Sequence, residues 1–259
     1  VAKQKGGVGK TTTTVNLAAS MAAMKRRVLL VDMDPQGNAT MGSGVDKNDL
    51  ELSVCDLLLE EAEAGEIIIE QAGEGGFDLL PANIELTAAE VQLMSKIGRE
   101  LTLQKALAGV EGDYDTILID CPPALNLLTV NALVAADGLI IPMQCEYYAL
   151  EGISALMETI GQVRDSVNPD LEIDGVLRTM FDPRSNLANE VSSQLEEYFG
   201  ERVFRTVIPR NVRLAEAPSH GLPALVYDRS SRGAMAYLAL VGEMLRRDDG
   251  AGGQRQRAS

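Results

Sequence analysis

The sequence has no tryptophan, a single histidine, three cysteines and only 4% aromatic residues. Cys55, Cys121 and Cys145 are far apart and form no Cys-x-x-Cys pair, which argues against a disulfide framework or a zinc site. Neither a signal-peptide pattern nor an apolar run of membrane-spanning length is present, so we expect a cytoplasmic protein. Because hydrophobic residues make up 46% of the chain, its core is expected to be large and mainly aliphatic.

Basic residues are also scarce, with 23 Lys and Arg against 38 Asp and Glu, which gives a formal net charge of −15. A field of that sign repels nucleic acid, so any contact with DNA has to come from a local basic patch. The length of 259 residues suits one large α/β domain or two small ones.

The most informative segment is residues 5–12, Lys-Gly-Gly-Val-Gly-Lys-Thr-Thr. Gly9, Lys10 and Thr11 match the end of a phosphate-binding loop, in which backbone N–H groups surround a phosphate and the lysine supplies positive charge. The Thr11 hydroxyl is a ligand suited to Mg²⁺. One lysine is enough to hold a nucleotide, so the second lysine, Lys5, needs a separate role.

Strand-like and helix-like segments alternate along the chain and predict one doubly wound, mostly parallel sheet with helices on both faces. The helix that follows the loop would point its N-terminus at the phosphate. We expect a P-loop domain over residues 1–247, which starts at Val1 with part of its first strand missing, and a disordered polar tail over 248–259. The predicted strands after the loop cover residues 28–34, 77–81, 115–120, 138–142, 173–179 and 203–208.

Aspartates end two of these strands and are candidates for the metal and for water activation. Asp120 is expected to face the loop and to bind Mg²⁺ through water, and Pro122 and Pro123 then stop the strand. Asp34 is our choice for orienting the attacking water, and Asp32, two residues earlier on the same strand face, can support either role.

Several motifs in order resemble the deviant Walker-A ATPases of the ParA/MinD group, and further ones narrow the resemblance to the ParA/Soj branch. The resemblance covers the chain to about residue 245. The motifs are the loop at 5–12, Val-Asp-Met-Asp-Pro-Gln-Gly-Asn at 31–38, Asp-Cys-Pro-Pro at 120–123, Gln-Cys-Glu-Tyr-Tyr-Ala-Leu-Glu-Gly at 144–152, Thr-Met-Phe-Asp-Pro-Arg at 179–184 and Ile-Pro-Arg-Asn-Val-Arg-Leu-Ala-Glu-Ala-Pro-Ser-His-Gly at 208–221.

The resemblance implies an ATP-dependent homodimer that hydrolyses ATP to ADP with Mg²⁺. It implies that Lys5 reaches the partner's nucleotide, much as an arginine finger supplied in trans does, and that Gly6 lies where two backbones meet. Catalysis is assigned to Lys5, Lys10, Asp34 and Asp120, and the metal to Thr11, Asp34 and Asp120. The nucleotide-binding residues it implies are Lys5, Gly6, Gly7, Val8, Gly9, Lys10, Thr11 and Thr12 for the phosphates and Pro209 and Asn211 for the adenine.

The resemblance also implies nonspecific binding of double-stranded DNA by the ATP dimer, through Arg184 and Arg213. Residues 178–232 carry eight arginines against seven acids, which makes this segment nearly neutral in an acidic chain. The alternative is that several of these arginines pair with nearby acids on solvated surfaces. We expect a ParB-type centromere-binding partner that stimulates slow hydrolysis, a role in chromosome or plasmid segregation, and a nucleoid-associated location.

Three rival hypotheses use the same loop. A MinD-like membrane switch needs a C-terminal amphipathic helix, and residues 246–259 have no apolar face, so we expect no membrane partner. An electron carrier like the nitrogenase reductase needs paired cysteines that bridge an iron–sulfur cluster. An ATPase that positions a protein cargo differs only in its partner, and the sequence leaves that alternative open.

Overall fold

The computed structural model describes residues 7–146 and 151–255 of the chain. Its strands are all short and all pair in parallel, as their continuous apolar sequences predict. They are β1 (Val28–Asp32), β2 (Asp78–Leu80), β3 (Thr116–Asp120), β4 (Gly138–Gln144) and β5 (Glu172–Thr179). The helices are α1 (Lys10–Ala23), α2 (Asn38–Gly42), α3 (Val54–Leu59), α4 (Ala64–Ile67), α5 (Leu86–Leu93), α6 (Thr102–Leu107), α7 (Leu127–Ala135), α8 (Glu151–Ser166), α9 (Asn186–Phe199), α10 (Val212–Glu216), α11 (Ala224–Tyr227) and α12 (Arg232–Arg255).

Within the described residues the strands form two hydrogen-bonded groups, ordered β2-β1-β3 and β4-β5. The predicted first strand before the loop falls in residues 1–6, outside the described residues. The chain leaves β1 toward β2 and then returns to the other side of β1 for β3. Such a reversal of strand order creates a crevice at the carboxyl ends of the strands, where α/β proteins bind ligands.

Alternate strand residues pack into two hydrophobic cores, one on each side of the strands. Leu29 and Val31 of β1 lie in the same core as Ile141 of β4, whereas Leu30 lies in the opposite core with Ile140. Both strand groups therefore share the same two cores, because side chains alternate with period two. Helices α3 and α5 to α9 cover one core, and α1 with α10 to α12 cover the other. The predicted α/β fold with helices on both faces is confirmed.

The predicted strand at 203–208 is wrong, since this segment forms no continuous ladder: it bonds β5 only near its two ends, through the Phe204 N–H to the Val176 carbonyl at 3.0 Å and the Ile208 N–H to the Arg178 carbonyl at 2.9 Å. The N–H groups of Arg205 and Thr206 instead donate to the Glu243 carboxylate, at 2.8 and 2.9 Å. A strand ladder needs those donors, so a side chain from α12 interrupts it.

The last helix, α12, runs to Arg255, whereas the sequence analysis places a disordered tail from residue 248. Within the described residues no helix combines the length and apolarity needed to cross a lipid bilayer.

Candidate nucleotide-binding site

The glycine loop leads directly into α1. Gly9 has φ 83°, in the left-handed region that favours glycine, and its carbonyl accepts the first helical bond from the Thr13 N–H at 2.9 Å. The Thr179 hydroxyl at the end of β5 donates to the Val8 carbonyl at 2.8 Å. A hydrogen bond from β5, in the second strand group, therefore holds the loop in place. The loop leads into the N-terminus of α1, and a helix N-terminus is suited to binding an anion.

Lys10, the first residue of α1, is buried to 7% exposure among acids. Burial lowers the pKa of its ammonium group, and the charges of Asp120, Cys121 and Asp34 oppose that shift. Because the charges of Asp34 and Asp120 both act on this ammonium group, Lys10 lies close to the two predicted catalytic acids. A buried cation at the mouth of a loop of N–H groups is suited to binding a phosphate.

Asp120, at the C-terminal end of β3, accepts hydrogen bonds from two threonines of α1. The Thr11 hydroxyl donates to Oδ2 at 2.6 Å and the Thr14 hydroxyl to Oδ1 at 3.0 Å. Burial raises the pKa of Asp120, and these two bonds oppose the rise. In the described residues no three His, Cys, Asp or Glu side chains cluster as a complete metal site. The oxygen donors of Thr11 and Asp120 fit Mg²⁺, which usually takes one or two protein ligands with phosphate oxygens and water.

Asp32 and Asp34 lie two residues apart at the end of β1, in different surroundings. Asp32 is fully buried and accepts from the Asp34 N–H at 3.1 Å and from the N–H and hydroxyl of Thr40, both at 2.8 Å. Burial, and then the charge of Asp120, raise the pKa of Asp32 to about 7. Its contacts make Asp32 a support for the loop at 33–40. The Asp34 carboxylate accepts from the Gln36 N–H at 2.9 Å and lies near enough to Lys10 and Asp120 for its charge to act on the pKa of both.

A cavity of about 220 Å³ adjoins the loop, between the start of α1 and the segment before α10. Both predicted adenine residues, Pro209 and Asn211, line this cavity together with Gly9 and Thr12 of the loop. The Asn211 side chain accepts from the Arg213 N–H at 3.0 Å and so caps α10. Met180 also lines the cavity, with a left-handed φ of 49° that is unusual for a side-chain-bearing residue. The structure thus joins a phosphate-binding loop to a mainly apolar pocket.

The comparisons with known proteins agree with this geometry. Residues 1–173 match the family model described as an AAA domain. The chain is 53% identical over 244 residues to the sporulation initiation inhibitor protein Soj of Bacillus subtilis, covering 94% of this chain and 96% of Soj. It is 49% identical to the chromosome partitioning protein ParA of Myxococcus xanthus, covering 96% and 87% of the two chains. The chain belongs to the ParA/Soj family of chromosome-partitioning ATPases.

Among solved structures, one that resembles this ParA/Soj-family protein is a cobyrinic acid a,c-diamide synthase from Mycobacterium smegmatis with bound ADP and magnesium. The TM-score is 0.84 at 38% identity, with 96% of this chain and 94% of that chain covered. The predicted P-loop fold is therefore confirmed over nearly the whole chain.

The two predicted DNA-binding arginines lie on neighbouring segments, Arg184 just before α9 and Arg213 in α10, and Phe181 and Pro209 form a bridge between these segments. Arg184 has an 88% exposed side chain and pairs with Asp182 at 3.0 Å. Arg213 pairs with Glu216 at 2.7 Å and with Asp228 at 3.4 Å. The alternative, local pairing with acids, is thus observed for both side chains. Arg178, counted among the eight arginines of this segment, is buried, pairs with Glu196 and donates to the Phe204 carbonyl, so its role is structural.

Several contributing residues escape the sequence analysis, and others lie outside the described part of the chain. Thr14, Thr40 and Thr179 each bond a site carboxylate or the loop, and the only sequence signal is the threonine run at 11–14. Lys5 and Gly6 fall outside the described residues, so their predicted roles stay predictions, and Tyr147 and Tyr148, for which the sequence analysis assigns no chemistry, fall outside them as well.

Proposed function

We propose that this chain is an ATP-dependent dimeric switch that binds DNA nonspecifically and hydrolyses ATP slowly to drive chromosome or plasmid segregation. The observation that carries the proposal is the joint placement of Lys10, Thr11 and Asp120 at the loop, in a chain that belongs to the ParA/Soj family. We expect the protein to act in the cytoplasm on the nucleoid.

The loop and Lys10 bind the β- and γ-phosphates, with the N–H groups of the loop and the N-terminus of α1 directed at the anion. Thr11 and Asp120 would hold Mg²⁺, and the bound ion would supply positive charge next to the phosphates. Asp34 orients the attacking water, since it lies beside Lys10 and Asp120 on a short loop that Asp32 and Thr40 anchor. Pro209 and Asn211 border the adenine.

Dimerisation supplies the remaining positive charge. Lys5 of one protomer reaches the nucleotide of its partner, which makes hydrolysis conditional on the dimer. No Glu or His that could act as a strong general base stands out in the sequence, which agrees with slow hydrolysis by the protein alone. A ParB-type partner then accelerates hydrolysis and releases the protein from DNA.

DNA binding depends on a local patch because the whole chain carries a charge of −15. Arg184 precedes α9 and Arg213 lies in α10, on segments joined by a bridge, and a dimer presents two such patches. Phosphate groups compete with Asp182 and Glu216 for these arginines, so binding is expected to be moderate and strongly weakened by salt.

Binding to random duplex DNA without nucleotide, with ADP and with a nonhydrolysable ATP analogue, at two salt concentrations, tests the proposal. Binding only with the ATP analogue, and weaker at higher salt, is the expected result. Equal absence of binding in all three states, with ATP-dependent dimerisation intact, would contradict the DNA step. That result would favour the alternative, an ATPase that positions a protein or membrane cargo.

A further inference from the structure

A stripe of apolar side chains faces solvent along α5 and the turns on either side of it. We call Ile84, Ala88, Val91, Met94 and Ile97 the α5 surface, and all five side chains are exposed. Ile84, Val91 and Met94 are each more than 60% exposed, and Ile97 is fully so. The residues at positions 84, 88, 91 and 94 fall within about 120° of one helical face. The opposite face of α5, with Leu86, Ala89 and Leu93, is buried in the core.

The stripe lies within an acidic part of the chain. Residues 46–105 hold 14 Asp and Glu against four Lys and Arg, so this segment contributes −10 of the net charge of −15. Within the described residues, Glu60 is the only one of these acids that forms an ion pair, with Lys96 at 3.5 Å. The same pair joins the end of α3 to the turn after α5, and the Cys55 thiol of α3 contacts the Glu85 carbonyl at 3.5 Å. Glu60, directly after α3, therefore lies beside the turn that follows α5.

We propose that the α5 surface is the docking site for a basic amphipathic segment of a partner protein. Its apolar side chains would cover Val91 and Met94, and its Lys or Arg side chains would pair with the acids of residues 46–105. The same charge disfavours the other occupants. Anionic lipid and nucleic acid are repelled, and a second copy of this chain would bring two acidic surfaces together.

The α5 surface is also connected to the nucleotide site. Ile84 follows two residues after Ala82, whose N–H donates to the Thr40 hydroxyl at 2.9 Å, and that hydroxyl donates to Asp32 at 2.8 Å. Gly37 packs against the same strand end, since a Cβ added there would lie 2.6 Å from the Ala82 carbonyl oxygen. A partner segment docked on the α5 surface would therefore lie next to residues that hydrogen bonds join to the loop carrying Asp34. A regulatory meaning for this contact rests on the proposed function, whereas docking itself does not.

A synthetic peptide helix of about 18 residues, five turns long, tests the proposal. It carries leucines on one face and lysines on the other, and its fluorescence anisotropy is followed with the full chain in the absence of nucleotide and DNA. A peptide of the same composition in scrambled order measures attraction by charge alone. The test involves no hydrolysis, so its failure and a failure of the DNA experiment are separate results.

Two pairs of variants locate the binding. Val91→Ser with Met94→Ser is expected to weaken peptide binding at least tenfold, while Leu187→Ser with Met235→Ser, exposed apolar positions elsewhere, leaves it unchanged. Glu85→Gln with Glu90→Gln is expected to weaken binding severalfold at low salt, and Glu190→Gln with Glu197→Gln on α9 is the matched control. Thermal unfolding checks that each variant is folded.

Four outcomes would overturn the proposal. The first is no binding of the peptide at all, and the second is equal binding of the ordered and scrambled peptides. The third is equal loss of binding in the α5 and control variants. The fourth is concentration-dependent self-association of the chain that Val91→Ser with Met94→Ser abolishes, which would make a second copy the occupant.

Discussion

At the nucleotide edge, the charged side chains of Lys10, Asp32 and Asp120 are buried and the two carboxylates accept bonds from threonines. Around residues 180–213, Arg184 and Arg213 stay exposed and pair with acids, Arg184 with Asp182 and Arg213 with Glu216 and Asp228. Buried charges lose their hydration and depend on specific partners, whereas exposed pairs exchange freely with water and salt. We therefore expect the nucleotide edge to tolerate almost no substitution. Substitutions of the exposed arginines should affect DNA binding without affecting the fold.

The largest effect is expected from Lys10→Ala. Removal of the buried ammonium group takes away a charge-assisted bond to phosphate, so ATP affinity should fall by roughly 100-fold. Binding of a fluorescent ATP analogue measures this, with Lys105→Ala, an exposed lysine on α6, as the control. Unchanged affinity in the Lys10 variant would contradict the assignment of the loop.

The anchor beneath the Asp34 loop is expected to contribute strongly to stability. Thr40→Val keeps the side-chain shape but removes the hydroxyl that joins Asp32 to the Ala82 N–H. The two buried groups lose a partner, so the free energy of unfolding should fall by about 1–3 kcal/mol. Urea denaturation measures the change, and Thr87→Val on the exposed face of α5 should have little effect. A stability loss no greater than that of the control would show that Asp32 does not depend on this hydroxyl.

The sequence predicts the features that depend on neighbouring residues. The strand positions follow from apolar runs such as 115–120, and the loop follows from glycines that need a left-handed backbone, as Gly9 does. Contacts between distant residues are not visible in the pattern. Thr14 meets Asp120 across 106 positions, and Glu243 breaks the expected strand at 203–208 from 37 positions away. Nor does a count of arginines separate the buried Arg178 from the exposed Arg184.

Glu243 extends the comparison to a third buried carboxylate. Its burial would raise its pKa, but hydrogen bonds from Thr206 and Arg205 and the charge of Arg247 lower the pKa overall. A group with a depressed pKa stabilises the fold above its unfolded pKa of about 4.3, and this contribution is lost as the pH falls through the folded value.

Glu243→Gln should therefore lower the free energy of unfolding by about 1 kcal/mol at neutral pH, and the difference from the unchanged chain should shrink below about pH 4. Urea denaturation at a series of pH values measures both, with Glu190→Gln on the solvent face of α9 in parallel. A difference that stays constant with pH would mean that packing, and not the charge, holds residues 203–208.

The smallest effect on the fold is expected from Arg184→Ala. Its side chain is 88% exposed and pairs only with the local Asp182, so thermal unfolding should not change measurably. DNA binding by the ATP-bound state should nevertheless weaken severalfold. If each arginine neutralises one phosphate, the slope of log affinity against log salt should decrease by about 0.9 for each arginine that is removed. Arg26→Ala, an exposed arginine after α1, should leave both the affinity and the slope unchanged. An Arg184 variant that keeps the original slope would place the DNA-binding surface elsewhere, and one that unfolds at lower temperature would mean that even this exposed pair supports the fold.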